Sequence, residues 1–358
     1  MTSRVKLHPA TRALTGSLYG RLVHPRRIPL TEDGVALVAE THRKQLSVIG
    51  VDLDALRGFS VLECGGTGRD ALAWAHLGAG RVTHVDLSEE NPRRVRDYCE
   101  AHGIESVTSV QGDLLAVDLP SQGFDIVRSR GVLHHLGDPA LGLARYARWT
   151  RLGGWLHFNA YRGGTFYYYG VKLIRSLVRE ADLEAVLAAV GRLGLSPADA
   201  GILLDDFFVP CMHTADPRKL DRDLERAGLV RLWPRRSWAR VDHDVLYPDM
   251  PQKDEHLQYW LRKDAHFEDA GALAARLQYH EGEDDVALGR SQPRSGESLA
   301  AFEELRRALL AAPPARRTEA LVRIYREHHY AISTVEMSGR ERHERLAACF
   351  RREVSGAR

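Results

Sequence analysis

Cysteine is scarce in this 358-residue chain, and the four that are present lie far apart. Cys64, Cys99, Cys211 and Cys349 have neither the close spacing of a disulfide framework nor the paired spacing of a zinc site. We therefore expect reduced thiols and no metal centre, as in a cytoplasmic protein.

An excess of charge of one sign is also lacking, since 50 basic and 48 acidic residues leave a formal net charge of +2. Short basic pairs such as Arg26-Arg27 do not add up to a basic face, which argues against a nucleic-acid partner. No apolar run approaches the roughly 20 residues that span a bilayer, and the N-terminus has no apolar signal core. The sequence thus predicts a soluble, cytoplasmic protein with no membrane partner.

The most informative stretch is a glycine-rich turn between an apolar run and a helical pattern. Residues 59–62 read as a buried strand and residues 71–76 as the helix that follows it. Between them lie Gly65, Gly66 and Gly68, in a turn that we call the glycine loop (residues 65–68). Such a turn lets a ligand approach backbone N–H groups and a helix N-terminus. A second strand ends at Asp86, an acid placed to accept hydrogen bonds from a ribose diol.

Three further strand-like runs follow, at residues 106–110, 124–127 and 152–158. The alternation of strands with helices predicts an α/β fold with a parallel sheet and helices on both faces. Ligands of such open sheets bind outside the C-terminal ends of the strands, which is where the glycine loop and Asp86 are expected.

Together these pieces resemble the class I S-adenosylmethionine-dependent methyltransferases, over roughly residues 55–160. The resemblance implies a Rossmann-like sheet, with S-adenosyl-L-methionine as the cofactor. Its glycine loop is one residue shorter than the family pattern, so either the turn is tighter or Glu63 is not the family's acid. The implied cofactor-binding residues are Glu63, Gly65, Gly66, Gly68, Asp86, Leu87, Asp113, Leu114 and Arg130.

Two of these residues have an alternative interpretation. Asp113 follows the third strand and is assigned by the resemblance to the adenine amino group, but it also suits a turn in which it bonds its own backbone. Leu87 is assigned to the adenine surface, and a plain core position is the alternative.

Histidines supply the catalytic candidates. His134 and His135 follow the fourth strand, where a neutral imidazole is able to take a proton from a hydroxyl or an ammonium nucleophile. The alternative is a pair that caps a helix or packs in the core. His213 is a third candidate, because the resemblance brings the region around it back to the mouth of the site.

Aromatic and acidic side chains supply the candidates for substrate binding. An insertion at about residues 161–215 is expected to form a substrate lid, and aromatics there offer apolar walls and attract cations. An acidic pair beside them favours a cationic amine or guanidine, although adjacent acids in a loop are more often solvated. The candidates are Tyr19, Tyr161, Tyr167, Tyr168, Asp205 and Asp206.

The predicted organisation has three parts. Residues 1–54 form an N-terminal helical cap, residues 55–240 the methyltransferase domain with its lid, and residues 241–358 a mostly helical C-terminal extension. That extension covers the site, pairs two subunits as a homodimer, or binds a partner.

The function that the resemblance implies is methyl transfer to an N or O nucleophile of a small molecule, in specialised biosynthesis. The alternatives are methylation of a macromolecule (RNA or protein) and a non-catalytic scaffold that binds the cofactor. The near-neutral charge argues against RNA, and residues 129–138 lack the glutamate pair of protein arginine methyltransferases.

Overall fold

The structure is a computed structural model, and it describes residues 9–27, 30–162, 171, 175, 183–233, 256–265, 274, 275 and 319. The chain divides into two compact units. The first unit comprises Met1–Arg162 and Pro210–His280, and the second comprises Gly163–Val209 and Glu281–Arg358. The glycine loop and the strands all lie in the first unit.

The first unit is built on one mixed sheet of eight strands. Its order is β3-β2-β1-β4-β5-β8-β7, with the short β6 paired to the end of β5. The first five strands are parallel, whereas β8 runs antiparallel to both β5 and β7. The strands are β1 Ser60–Cys64, β2 Arg81–Asp86, β3 Val107–Gln111, β4 Phe124–Ser129, β5 Thr150–Arg162, β6 Thr214–Ala215, β7 Leu229–Trp233 and β8 His256–Lys263.

The strand order reverses between β1 and β4, which are neighbours in the sheet although two strands separate them in sequence. In open α/β sheets the ligand site lies at such a reversal, outside the carboxyl ends of the strands. The glycine loop follows β1 directly, so the sheet places it at this point.

The described helices agree with most of the sequence expectations. Thr31 caps α3 through its hydroxyl, and Asp216 caps α9, whose first residue is Pro217. The helices are α1 Pro9–Ser17, α2 His24–Arg27, α3 Glu32–Val48, α4 Arg69–His76, α5 Glu90–His102, α6 Pro139–Trp149, α7 Leu183–Arg192, α8 Pro197–Phe208 and α9 Pro217–Arg226. A π-helical turn, Leu18–Val23, joins α1 to α2, and 3-10 turns lie at Asp54–Gly58 and Leu133–His135.

Two expectations were wrong. Strand β8 lies in the region assigned to the helical C-terminal extension, so the sheet continues beyond residue 240. Asp205 and Asp206 were expected in a loop, but they lie within α8, where only 8% and 6% of their surfaces are exposed. Apart from Glu319, the predicted helices after residue 299 lie outside the described residues, and pairing of two subunits through them stays a prediction.

Apolar side chains fill both faces of the sheet. On one face α6 and α9 pack through Leu143, Tyr146 and Leu224. On the other face α3 and α4 pack through Leu46 and Trp74. Helices on both faces leave the strand ends as the accessible edge of the sheet, as expected for an α/β fold.

Candidate functional site

The glycine loop turns the chain from β1 into α4 in a conformation that favours glycine. Gly65, Gly66 and Gly68 have φ angles of +78°, +87° and +83°. A Cβ atom at Gly65 would lie 2.6 Å from Val132 Cγ2, and one at Gly68 would lie 1.9 Å from Val95 Cγ2. At Gly66 a Cβ atom would meet no atom within 4 Å. Gly66 therefore borders open space, whereas the packing at Gly65 and Gly68 leaves no room for a side chain.

Asp86 ends β2 with one carboxylate oxygen fully engaged. Its Oδ1 accepts hydrogen bonds from the Ser88 backbone N at 2.8 Å, from Ser88 Oγ at 2.6 Å and from Asn91 Nδ2 at 3.1 Å. Within the described part of the chain, no donor reaches Oδ2. The carboxylate is thus oriented through one oxygen, and the other is left for a ligand.

The end of β3 presents Asp113 to the N-terminal helix. Asp113 Oδ1 accepts from the Leu115 backbone N at 2.8 Å, as in the turn described above, and Oδ2 lies 3.1 Å from Arg12 Nε. Leu114 is 4% exposed and belongs to the core. Leu87 is half-buried, and its carbonyl oxygen lies 3.1 Å from the position of a Cβ atom on Gly16. Helix α1 therefore lies across the ends of β2 and β3.

Glu63, the acid at the start of the motif, points into the protein. Its Oε1 accepts from Arg128 Nη1 at 2.8 Å and its Oε2 from Trp74 Nε1 at 3.1 Å. Burial raises the pKa of this carboxyl to about 8, although the positive charge of Arg128 acts to lower it. Both oxygens are used internally, which favours a supporting role. Arg130 is close by, with Nη1 3.9 Å from Asp70 Oδ1.

Four predicted residues from three parts of the sequence come together beyond β4 and β5. We call Tyr19, His134, His135 and Tyr161 the His–Tyr cluster. The His134 ring stacks on Tyr161 with ring centres 3.5 Å apart, and the His135 ring meets Tyr161 edge-on at 5.6 Å. Tyr19 lies 5.6 Å from the His135 ring.

The hydrogen bonds of His135 define its tautomer. Nδ1 lies 2.9 Å from the Cys211 carbonyl oxygen. A carbonyl only accepts, so the proton sits on Nδ1 and Nε2 carries the lone pair. The Tyr161 hydroxyl lies 3.4 Å from Nε2 and donates toward it. In the neutral ring, this bond orients Nε2 toward the Tyr161 hydroxyl.

His213 reaches the cluster through its backbone. Its N–H donates to the His134 carbonyl at 2.8 Å, directly before β6 pairs with the end of β5. This short pairing returns the chain to the cluster after the second unit.

Comparison with known proteins decides the family. A family model described as a methyltransferase domain matches residues 61–154. These residues contain the glycine loop, Asp86, Asp113 and the two histidines. Residues 61–154 form a class I methyltransferase domain. The resemblance predicted from the sequence is confirmed for this part of the chain, and with it S-adenosylmethionine as the cofactor of the domain.

Curated relatives match over part of their length. An uncharacterised 37.1 kDa protein in transposon Tn4556 of Streptomyces fradiae is 36% identical over 115 residues, which are 31% of this chain and 33% of that protein. A ubiquinone biosynthesis O-methyltransferase of Thiobacillus denitrificans is 36% identical over 110 residues, which are 29% of this chain and 45% of that protein. The chain therefore matches less than half the length of these relatives.

Solved structures match this chain at low sequence identity and low TM-score. An S-adenosylmethionine-dependent methyltransferase from Mesorhizobium loti is 20% identical, and the match covers 59% of this chain and 95% of that one with a TM-score of 0.39.

The remaining predicted substrate residues lie outside the methyltransferase domain. Asp205 and Asp206 belong to the second unit, where the Asp206 carbonyl accepts from Arg175 Nη1 at 2.9 Å. Tyr167 and Tyr168 lie outside the described residues.

Three contacts of the methyltransferase domain were missed from the sequence. Arg12 meets Asp113, Asn91 orients Asp86, and the Cys211 carbonyl orients His135. Only Asn91 left a signal, since it lies five residues after Asp86. A backbone carbonyl leaves none.

The described residues show neither a metal site nor a membrane-spanning helix. Among the residues that the structure describes, no group of three histidine, cysteine, aspartate or glutamate side chains is arranged to hold a metal ion. In the same residues, no helix has the length and apolarity needed to cross a membrane.

Proposed function

We propose that this chain transfers a methyl group from S-adenosylmethionine to an oxygen or nitrogen nucleophile of a small molecule, with His135 as the proton acceptor. The observation that carries the proposal is the orientation of His135, whose Nδ1 lies 2.9 Å from the Cys211 carbonyl oxygen inside the His–Tyr cluster. The bound cofactor supplies a methyl group on a sulfonium, an electrophile that needs alignment more than activation.

The cofactor-binding roles follow from the accessible atoms. Asp86 Oδ2 accepts hydrogen bonds from the ribose diol, because Oδ1 is occupied by Ser88 and Asn91. The open space beside Gly66 takes the methionine part of the ligand, against the N-terminus of α4. Asp113 Oδ2 accepts a hydrogen bond from the adenine amino group, either in place of its contact with Arg12 or together with it.

The proton of the acceptor leaves toward His135. S-adenosylmethionine, held at the glycine loop and Asp86, would supply the methyl group, and the nucleophile would lose one proton on accepting it. The acceptor proton passes to Nε2, either directly or through the Tyr161 hydroxyl. The resulting imidazolium keeps its Nδ1–H bond to the Cys211 carbonyl.

The aromatic walls of the cluster support an acceptor with a hydroxyl on an aromatic ring. Tyr19 and Tyr161 offer ring faces and edges beside His135. One partial relative carries the name of a ubiquinone biosynthesis O-methyltransferase, which fits this class. A role in specialised biosynthesis is part of the proposal. The cationic amine or guanidine predicted from Asp205 and Asp206 is the second candidate.

Cofactor binding is tested by isothermal titration of the full chain with S-adenosylmethionine and S-adenosylhomocysteine. We expect binding by the wild type and at least about a 10-fold loss in Asp86→Asn, since hydrogen bonds to charged groups contribute about 1.5–3 kcal/mol. Asp118→Asn is the matched control, because that side chain is exposed and lies in the connection between β3 and β4, seven residues after the end of β3. A wild type that binds neither ligand refutes the proposal.

The acceptor is tested by following S-adenosylhomocysteine formation with panels of phenols, aliphatic alcohols and amines. We expect turnover with a phenol, and a large loss of kcat in His135→Gln with unchanged S-adenosylhomocysteine affinity. Turnover of amines alone would show that the methyl acceptor is a nitrogen atom. Full activity of His135→Gln would remove the assigned base.

A further inference from the structure

A row of buried polar side chains crosses the middle of the sheet beneath the glycine loop. The strand registers pair Ser109 with His84, His84 with Glu63, Glu63 with Arg128, and Arg128 with His157. Each of these five side chains is at most 5% exposed. We call them the polar row. Paired residues of neighbouring strands point to the same face, so the row is continuous.

Arg128 is the cation of this row and is fully buried, on the strand that borders the reversal of strand order. Its Nη1 lies 2.8 Å from Glu63 Oε1 and 2.6 Å from Asp70 Oδ1. A buried guanidinium costs several kcal/mol in desolvation unless carboxylates compensate it. A hydrophobic side chain at this position would stabilise the fold as well, so the fold alone gives no reason for the charge.

The two carboxylates lie on opposite sides of the glycine loop. Glu63 is the second-last residue of β1, before the loop, and Asp70 is the second residue of α4, after it. Arg128 therefore joins the two ends of a loop that is one residue shorter than the family pattern. The start of α4 has no side-chain N-cap, because Gly68 occupies that position.

Further contacts fix the two carboxylates in place. Asp70 Oδ1 also accepts from His42 Nε2 at 3.2 Å, and Glu63 Oε2 accepts from Trp74 Nε1 at 3.1 Å. The rings of His42 and Trp74 stack with centres 4.3 Å apart. The loop ends are thus held by α3 and α4 as well as by β4.

We infer that Arg128 is a positioning residue for the cofactor site, because it holds the two ends of the glycine loop through Glu63 and Asp70. It lies beneath the loop and acts through the loop backbone rather than on the ligand. The inference rests on the proposed function, since the loop is assigned there to S-adenosylmethionine.

The test compares S-adenosylhomocysteine affinity with stability in variants of the full chain. We expect Arg128→Met to weaken binding at least 10-fold and Arg128→Lys to recover part of the loss. Lys263→Met is the matched control, since Lys263 is equally buried but donates to the carbonyls of Ala147 and Thr150, away from the loop. It should lower the melting temperature and keep wild-type affinity.

A second variant separates positioning from stability. Arg128→Met combined with Glu63→Gln removes one uncompensated carboxylate, so we expect it to regain stability and still bind weakly. It also keeps the inference testable if Arg128→Met alone does not fold. A folded Arg128→Met variant with wild-type affinity would overturn the inference and leave the proposed function intact. A wild type that does not bind overturns both.

Discussion

The Nε2 atom of His42 lies 3.2 Å from Oδ1 of Asp70, so α3 is hydrogen-bonded to the first turn of α4. Because a carboxylate only accepts, the imidazole donates from Nε2. Burial lowers the pKa of His42 to about 4, against the attraction of Asp70. The bond is therefore made by a neutral ring.

This pKa predicts a loss of stability in acid. The unfolded chain binds a proton at His42 near pH 6.5, and the folded chain binds it only near pH 4. The contribution of the neutral His42 ring to the free energy of unfolding is therefore full above pH 6.5 and is lost as the pH falls to 4. His42→Gln keeps an N–H donor and does not titrate. We expect the stability difference between wild type and variant to shrink by on the order of 3 kcal/mol across this window, as measured by urea unfolding.

His76→Gln is the control for the loss of one imidazole, because the His76 side chain is exposed. His84 and His157 also have lowered pKa values through burial, and they are present in both proteins of each comparison. A difference that stays constant from pH 7 to pH 4 would contradict the neutral state of His42.

Gly66→Ala and Gly68→Ala should separate ligand binding from folding. Alanine at either positive φ costs about 1 kcal/mol or more. At Gly68 the added Cβ atom also collides with Val95, and overpacking costs about 1–3 kcal/mol more. We expect Gly68→Ala to be the less stable variant in thermal unfolding, and Gly66→Ala to lose cofactor affinity at a small cost in stability. If Gly68→Ala loses cofactor affinity and Gly66→Ala keeps it, the ligand lies elsewhere on the loop.

Lys263 should contribute to stability although it is charged and fully buried. Its Nζ donates to the Ala147 and Thr150 carbonyls, both 2.7 Å away, at the end of α6. Burial lowers its pKa to about 8. Lys263→Met leaves two buried acceptors unpaired, and we expect a loss of about 1–3 kcal/mol in chemical denaturation. Arg262→Met, at a half-exposed neighbour, should cost less.

The sequence allowed the five parallel strands to be predicted, because each is a short apolar run followed by a turn signal. Strand β8 was missed, since its aromatic residues show no clear period and its pairing with β5 and β7 depends on contacts far away in sequence. Asp205 and Asp206 were misread as loop residues because a buried helix with acids in it resembles an irregular polar segment.

The polar row left a signal that is clear only in retrospect. Glu63, His84 and Arg128 each interrupt a strand near its C-terminal end, and His157 interrupts the middle of β5. A single polar residue in a strand is common. The strand register that aligns four of them is visible in the sheet and not in the sequence. The His–Tyr cluster was foreseen as a set of residues, but the tautomer of His135 depends on a backbone carbonyl that no sequence pattern marks.

The pairing of β6 with β5 has a consequence for how such a chain diversifies. The first unit is interrupted after Arg162 and resumes at Pro210, and Arg162 is paired with Ala215. Since the two ends of the interruption meet at one point of the sheet, the 47 or so residues between them close a loop whose entropy cost changes slowly with length. That segment is free to be lengthened, shortened or exchanged without a change in strand order. The strand order of the first unit is thereby independent of the length of that segment.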